Sequence, residues 1–172
     1  QLAEAQGVKS INVVRRPELV DELKAMGAEA VVVEGPDMVR EVRKLTDGAP
    51  VKLGLDAIGG DATLVLGDCL TTGGVVVNYG LLSGEACKLS SAATIFHDVA
   101  LRGFWLARWF REAPIGERMA VMTELAARVA AGELVAAVDS TFDLDHIGDA
   151  LARSMAGGRD GKVLLTPNGN IE

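Results

Sequence analysis

Two hydrophobic periods alternate along the chain. Short apolar runs that suit buried strands are followed by longer stretches whose apolar residues recur at helical spacing. The pattern predicts a strand over Ser10 to Val14, then a helix over Glu18 to Met26, opened by Pro17 and closed by Gly27. Leu19, Val20, Leu23 and Met26 give that helix one apolar face. Further strands are expected over Ala30 to Val33, Val51 to Ile58, Val75 to Tyr79 and Val99 to Gly103. The helices between them are expected over Pro36 to Leu45, Ala62 to Leu70 and, as a short stretch, Ser91 to Phe96. Phe104 to Phe110 reads as an aromatic-rich helical turn and Ile115 to Ala131 as a long helix ended by Gly132. Strands alternating with helices of about ten residues imply an α/β fold, a parallel sheet with helices on both faces.

The pattern changes near Gly132. Val138 to Leu144 alternates apolar and polar residues, Asp145 is placed to cap a helix over His146 to Met155, and Lys162 to Thr166 is a final strand. A turn joins them over Gly157 to Gly161, and Asn168-Gly169-Asn170 forms a polar tail. The expected organisation is therefore residues 1–132 as one domain and 133–172 as a β-α-β segment. At the other end, Gln1 to Gly7 reads as the last turn of a helix that has no start, so further sequence is expected upstream.

Composition narrows the function. The 172 residues carry a net charge of −7, which argues against a nucleic-acid surface. Any bound anion must then be held by a local cationic cluster. The carboxyl end of the first strand supplies one: Ser10-Ile11-Asn12-Val13-Val14 stops at Arg15-Arg16-Pro17. Carboxyl ends of parallel strands are where open α/β sheets bind ligands. No metal constellation is visible, no apolar run is long enough for a membrane helix, and no signal peptide is recognisable. Cys69 and Cys87 lack CxxC spacing and fit unpaired thiols in a reducing, cytoplasmic setting. His97 and His146 suggest no catalytic role. Asp56, inside an apolar strand, reads as a buried hydrogen-bonded carboxylate or a helix-terminus partner.

Several segments together resemble a known family. They are Asn12-Val13-Val14-Arg15-Arg16-Pro17, Leu23-Lys24-Ala25-Met26-Gly27-Ala28, Asp56-Ala57-Ile58-Gly59-Gly60, Val77-Asn78-Tyr79-Gly80 and Gly161-Lys162-Val163-Leu164-Leu165. The narrowest is Leu101-Arg102-Gly103-Phe104-Trp105-Leu106 with Trp109. The chain resembles the cofactor-binding half of the medium-chain dehydrogenase/reductase family, most closely its 2-enoyl thioester reductases. In that family a Rossmann-type domain lies between two pieces of a GroES-like catalytic domain. The resemblance places the first, central strand and the glycine-rich phosphate loop before Gln1. The expected sheet therefore has a gap between the strands at Ile11 and Leu53, and this chain alone is expected to be inactive.

The resemblance also assigns residues. Arg15 and Arg16 would take the 2′-phosphate of NADPH, because the arginine fork matches phosphate oxygens; alone, they would read as a solvated loop. Ile58, Gly59, Asn78, Tyr79 and Gly80 would line the cofactor at two strand ends. Leu81 stands where the family often has a second glycine. Gly59-Gly60 as a simple turn and Tyr79 as a buried strand-end residue are the alternatives. Phe104, Trp105 and Leu106 would wall the nicotinamide, or else be plain core or a dimer contact. Trp109 would pack or line a substrate channel. Lys162 would reach the cofactor from the last strand, or be an ordinary surface lysine. The implied reaction is hydride transfer from NADPH to a 2-enoyl thioester in fatty acid synthesis. The alternatives are a zinc-independent quinone or enone reductase, or a non-catalytic fragment. A homodimer through the edge strand near 99–103 is implied too.

Overall fold

A computed structural model describes residues 1–159 and 161–169. Asp160 of the expected turn and Asn170 of the expected tail lie outside the described residues. The chain divides into two units, residues 1–118 and 119–172.

The first unit is built from parallel strands and helices in alternation. After a short helix α1 (Leu2–Ala5), strand β1 (Ile11–Val14) leads through helix α2 (Leu19–Ala25) to β2 (Ala30–Val33). Helix α3 (Met38–Thr46) leads to β3 (Leu53–Asp56), and helix α4 (Gly60–Asp68) to β4 (Val75–Asn78). A π-helical turn over Ala92–Phe96 precedes β5 (Ala100–Gly103), and α5 (Leu106–Glu112) follows it. The boundaries lie within a few residues of those read from periodicity. The first helices begin one or two residues later than expected, and α4 begins two residues earlier, at Gly60.

Strands β1 and β2 form one parallel pair, and β3, β4 and β5 form a second parallel sheet in that order. No hydrogen bond joins β1 to β3 among the described residues. This is the gap expected between the strands at Ile11 and Leu53.

One apolar layer nevertheless runs beneath both sheets. Val32, Met38, Val42 and Cys69 pack as one cluster, and Leu70, Val76, Ala93 and Val99 as another. Val51 and Leu66 border both clusters and so connect them. Full burial of a side chain such as Val76 contributes about 2 kcal/mol. Burial also pushes the Cys69 thiol up to about 11, so it behaves as core rather than as a nucleophile. Along β3 the two faces differ. Gly54 and Asp56 point to the covered side and are buried, whereas Leu53 is 58% and Leu55 65% exposed.

Helix α6 (Ile115–Ala130) carries the chain across the unit boundary. In the second unit β6 (Val138–Phe142) and β7 (Lys162–Leu165) pair in parallel through helix α7 (Ile147–Met155), the crossover that parallel pairing requires. Arg153 of α7 holds Asp139 of β6 with a two-pronged ion pair. The helix cap differs from expectation. Asp143, not Asp145, accepts a hydrogen bond from the His146 amide at 3.0 Å and from its ring at 2.6 Å. Asp143 has extended backbone geometry, as a cap must, and a 3-10 turn over Leu144–His146 then inserts before α7 begins. Strand β6 accordingly ends at Phe142, two residues before the expected Leu144.

A candidate cofactor site at the strand ends

The carboxyl ends of β3, β4 and β5 lie side by side, because all three strands are parallel and in register: Asp56 pairs with Asn78, and Asn78 with Gly103. The segments leaving these strands are therefore brought to one edge. Ile58 and Gly59 come after β3, Tyr79 and Gly80 after β4, and Phe104, Trp105 and Leu106 after β5. The ladder continues past the strands, with the Tyr79 amide donating to the Asp56 carbonyl at 2.9 Å and the Phe104 amide to the Asn78 carbonyl at 2.8 Å.

The turn after β3 is held from below by Asp56. Its carboxylate is buried and accepts from the amides of Ile58 (2.8 Å) and Gly59 (3.2 Å), the Thr63 hydroxyl (2.7 Å) and the Asn78 carboxamide (2.9 Å). Burial by itself would raise its pKa. The hydrogen bonds from Thr63, Ile58, Asn78 and Gly59 outweigh burial and hold the carboxyl below the usual carboxylate range. Gly59 has φ of 85° and ψ of −172°, a conformation open in practice only to glycine. The amides of Ile58 and Gly59 are thus engaged within the protein. Ile58 is half-buried, and Gly59 is buried under the loop after β4, where a Cβ built on it would lie 2.9 Å from the Glu85 carbonyl oxygen and 3.2 Å from the Ser83 hydroxyl.

The loop after β4 folds over that turn. Leu82 donates to the Ala57 carbonyl at 3.1 Å, and Ser83 donates to the Ile58 carbonyl through both its amide and its hydroxyl. Gly80 lies so close to the turn that a Cβ placed on it would be 2.5 Å from the Ala57 oxygen. Tyr79 is 57% exposed, which removes the reading of a buried strand-end tyrosine.

Beyond β5 the aromatic segment is on the surface. Phe104, Trp105 and Leu106 are all exposed, Trp105 at 64%, so they are not core of this chain. The Arg111 guanidinium sits over the Trp105 ring at 5.6 Å. Trp109 is half-buried, meets Phe110 edge-on at 5.1 Å and donates its indole N–H to Glu117 at 3.0 Å. It is a packing residue in this unit.

Arg15 and Arg16 follow β1 and are exposed. Arg16 has a loose contact with Glu18 at 4.0 Å, worth little at a surface. Lys162 opens β7 in the second unit and is exposed.

Residues 1–127 match the zinc-binding dehydrogenase family. The chain belongs to this family, within the medium-chain dehydrogenases and reductases. Among curated members it is 33% identical over 171 residues to the mitochondrial enoyl-[acyl-carrier-protein] reductase of Homo sapiens, covering 96% of this chain and 46% of that protein. It is 31% identical over 170 residues to the protein of the same name from Dictyostelium discoideum, covering 96% and 48%. Among solved structures, a Mesorhizobium loti protein provisionally named NADPH:quinone reductase superposes with a TM-score of 0.82 at 26% identity, covering 96% of this chain and 48% of that one. The chain thus spans about half the length of the curated relatives it matches.

Among the described residues, no group of three or more His, Cys, Asp or Glu side chains could hold a metal ion. Nor is any helix there long and apolar enough to cross a membrane.

Periodicity alone missed the network below the site. Thr63 lies one helical turn into α4 and Ser83 in a loop, and neither position breaks an apolar pattern. The available signal was an acid at a strand's last position followed by a glycine turn and, seven residues on, a threonine in the first turn of the next helix.

Proposed function

We propose that this chain is the NADPH-binding part of a reductase that transfers hydride from NADPH to a 2-enoyl thioester. The observation that carries the reading is the gathering of a glycine turn, a strand-end asparagine and an apolar wall at the carboxyl ends of β3, β4 and β5. An unburied arginine pair ends β1. The names of the curated relatives support it. Arg15 and Arg16 suit the 2′-phosphate, Ile58, Gly59, Asn78, Tyr79 and Gly80 the body of the dinucleotide, and Phe104, Trp105 and Leu106 the nicotinamide face. An apolar wall keeps water from the reacting carbon. The hydride chemistry itself is the cofactor's, and the protein supplies orientation. Lys162 is the candidate contact from the last strand. In this reading residues 1–132 are the cofactor-binding domain, and residues 133–172 pack on a catalytic domain. Free Cys69 and Cys87 suit a reducing compartment such as the cytoplasm, whereas the curated relatives are named as mitochondrial.

The deciding experiment is a comparison of NADPH-dependent turnover by the full-length protein on a short 2-enoyl thioester and on a quinone. The thioester is expected to be favoured in kcat/KM by at least tenfold, about 1.4 kcal/mol of transition-state stabilisation. Preference for the quinone would favour the second reading, which the likeness to the Mesorhizobium loti protein supports.

The same reading includes a homodimer through β5. Among the described residues that strand pairs only with β4, and all four of its own residues are exposed. The Ala100 and Phe104 amides point toward β4, so those of Leu101 and Gly103 face outward and can pair with a two-fold-related copy. Leu101→Lys puts two like charges beside the axis, and light scattering is expected to show a dimer becoming a monomer. A monomeric parent, or a variant that stays dimeric, would remove this interface. A stable dimer that takes up no NADPH would instead support the non-enzymatic reading.

A further inference from the structure

We infer that Asp56 is a positioning residue for the cofactor: its carboxylate locks the Ile58-Gly59 turn to Asn78 and so sets the spacing between two strand ends. The inference rests on the proposed cofactor site. Asp56 is the last residue of β3, Thr63 lies in the first turns of α4 and Asn78 ends β4. One carboxylate therefore joins three elements. One oxygen takes the Ile58 amide at 2.8 Å, the other takes Thr63 at 2.7 Å and Asn78 at 2.9 Å, and the Gly59 amide lies 3.3 and 3.2 Å from the two. Every partner is a donor. An ionised carboxylate is the one side-chain group of this size that presents acceptors on both sides and no donor.

Of the residues fixed in this way, Ile58 and Asn78 are partly exposed at the strand ends, and Gly59 is the buried pivot between β3 and α4. Asp56 and Thr63 are themselves buried, Thr63 fully, and cannot meet a ligand directly. Their role is to hold the glycine turn in its positive-φ geometry and to orient the Asn78 side chain, while the Asn78 backbone carbonyl anchors Phe104. Asp56→Asn keeps the shape but turns an NH₂ group toward one pair of donors. Either the Ile58 and Gly59 amides or the Thr63 and Asn78 groups then lose their acceptor. Thr63→Val is the milder variant, since it removes one donor and keeps the volume.

The test uses the full-length protein and NADPH as the probe. Calorimetric affinity is measured for the parent, Asp56→Asn, Thr63→Val and Val42→Ala, with KM and kcat for the same set. Val42 is buried in the α3 cluster away from the strand ends and controls for lost stability alone. The expected result is NADPH affinity lowered about 10- to 100-fold in Asp56→Asn and several-fold in Thr63→Val. The KM for NADPH should rise with kcat largely kept, and Val42→Ala should be unchanged in both. If Asp56→Asn does not fold, Thr63→Val decides. Parent-level NADPH affinity in folded Asp56→Asn, or losses matched by Val42→Ala, would overturn the role of Asp56 while leaving the cofactor reading intact. A parent that binds no NADPH would overturn both.

Discussion

Replacing Arg15 and Arg16 together with alanine is expected to weaken NADPH binding about 100-fold and to leave NADH binding within about twofold of the parent. Charge is the first reason. This chain is acidic, with a net charge of −7, so a dianionic 2′-phosphate gains nothing from its summed field. It must be held by short-range groups. A charge-assisted hydrogen bond contributes about 1.5–3 kcal/mol. Two arginines in exposed positions fall at the low end of that range each, about 3 kcal/mol together, which is the 100-fold expected. Arg15 and Arg16 are exposed, so their removal opens no cavity, and stability should move by no more than about 0.5 kcal/mol. Parallel titrations with NADPH and NADH make the check. Equal losses for both cofactors would mean that the arginines support the site generally. No loss for either would place the phosphate elsewhere.

Gly80→Ala is expected to destabilise the protein by about 3 kcal/mol, the upper part of the range for forcing extra atoms into a packed site. The added methyl would sit 2.5 Å from the Ala57 oxygen and 3.0 Å from the Ala57 Cα. Both neighbours are backbone, and neither can swing aside as a side chain could. The Ala57 carbonyl is also the acceptor for the Leu82 amide, so relieving the clash strains a hydrogen bond. For a domain of this size the corresponding fall in Tm is about 6–12 °C. Thermal unfolding followed by circular dichroism checks it. A melt within about 2 °C of the parent would show that the loop after β4 can lift from the β3 turn without cost. Gly84, four residues further on, has nothing within 4 Å of a built Cβ, although its φ of 72° still favours glycine there. Its substitution tests conformation without crowding.

The two glycines illustrate what the linear pattern can and cannot carry. Alternation of period and length made the strand–helix order legible from Ile11 to Gly103, because each strand is a short apolar run and each helix shows one apolar face. The end of β1 is legible for the same reason, since Arg15 interrupts the apolar run, whereas β3 ends at Asp56, two residues before the expected Ile58, and β4 at Asn78, one before the expected Tyr79. The cap before α7 lies at Asp143, two residues ahead of the expected Asp145. Asp143 and Asp145 both precede the helix, and only the extended backbone at Asp143 with its hold on His146 separates them. Contacts between elements left no periodic trace. The hold of Asp56 on Thr63 and Asn78, and the approach of Gly80 to Ala57, depend on how β3, β4 and α4 are stacked. Exposure of Tyr79 and Trp105 was equally hidden, since an aromatic residue looks the same in a sequence whether a neighbour covers it or not.

Both tryptophans of the chain, Trp105 and Trp109, lie within one turn of each other at the start of α5. Its tryptophan emission therefore comes from a single small region, beside the apolar segment that follows β5. Trp109, half-buried with its indole N–H on Glu117, should emit at shorter wavelength than Trp105, which faces water under the Arg111 cation. Trp105→Phe would leave one tryptophan in this chain, and the difference spectrum excited above the tyrosine band would belong to the exposed ring alone. The chain thus carries an optical reporter at the edge of its strand-end surface, one that needs no added label.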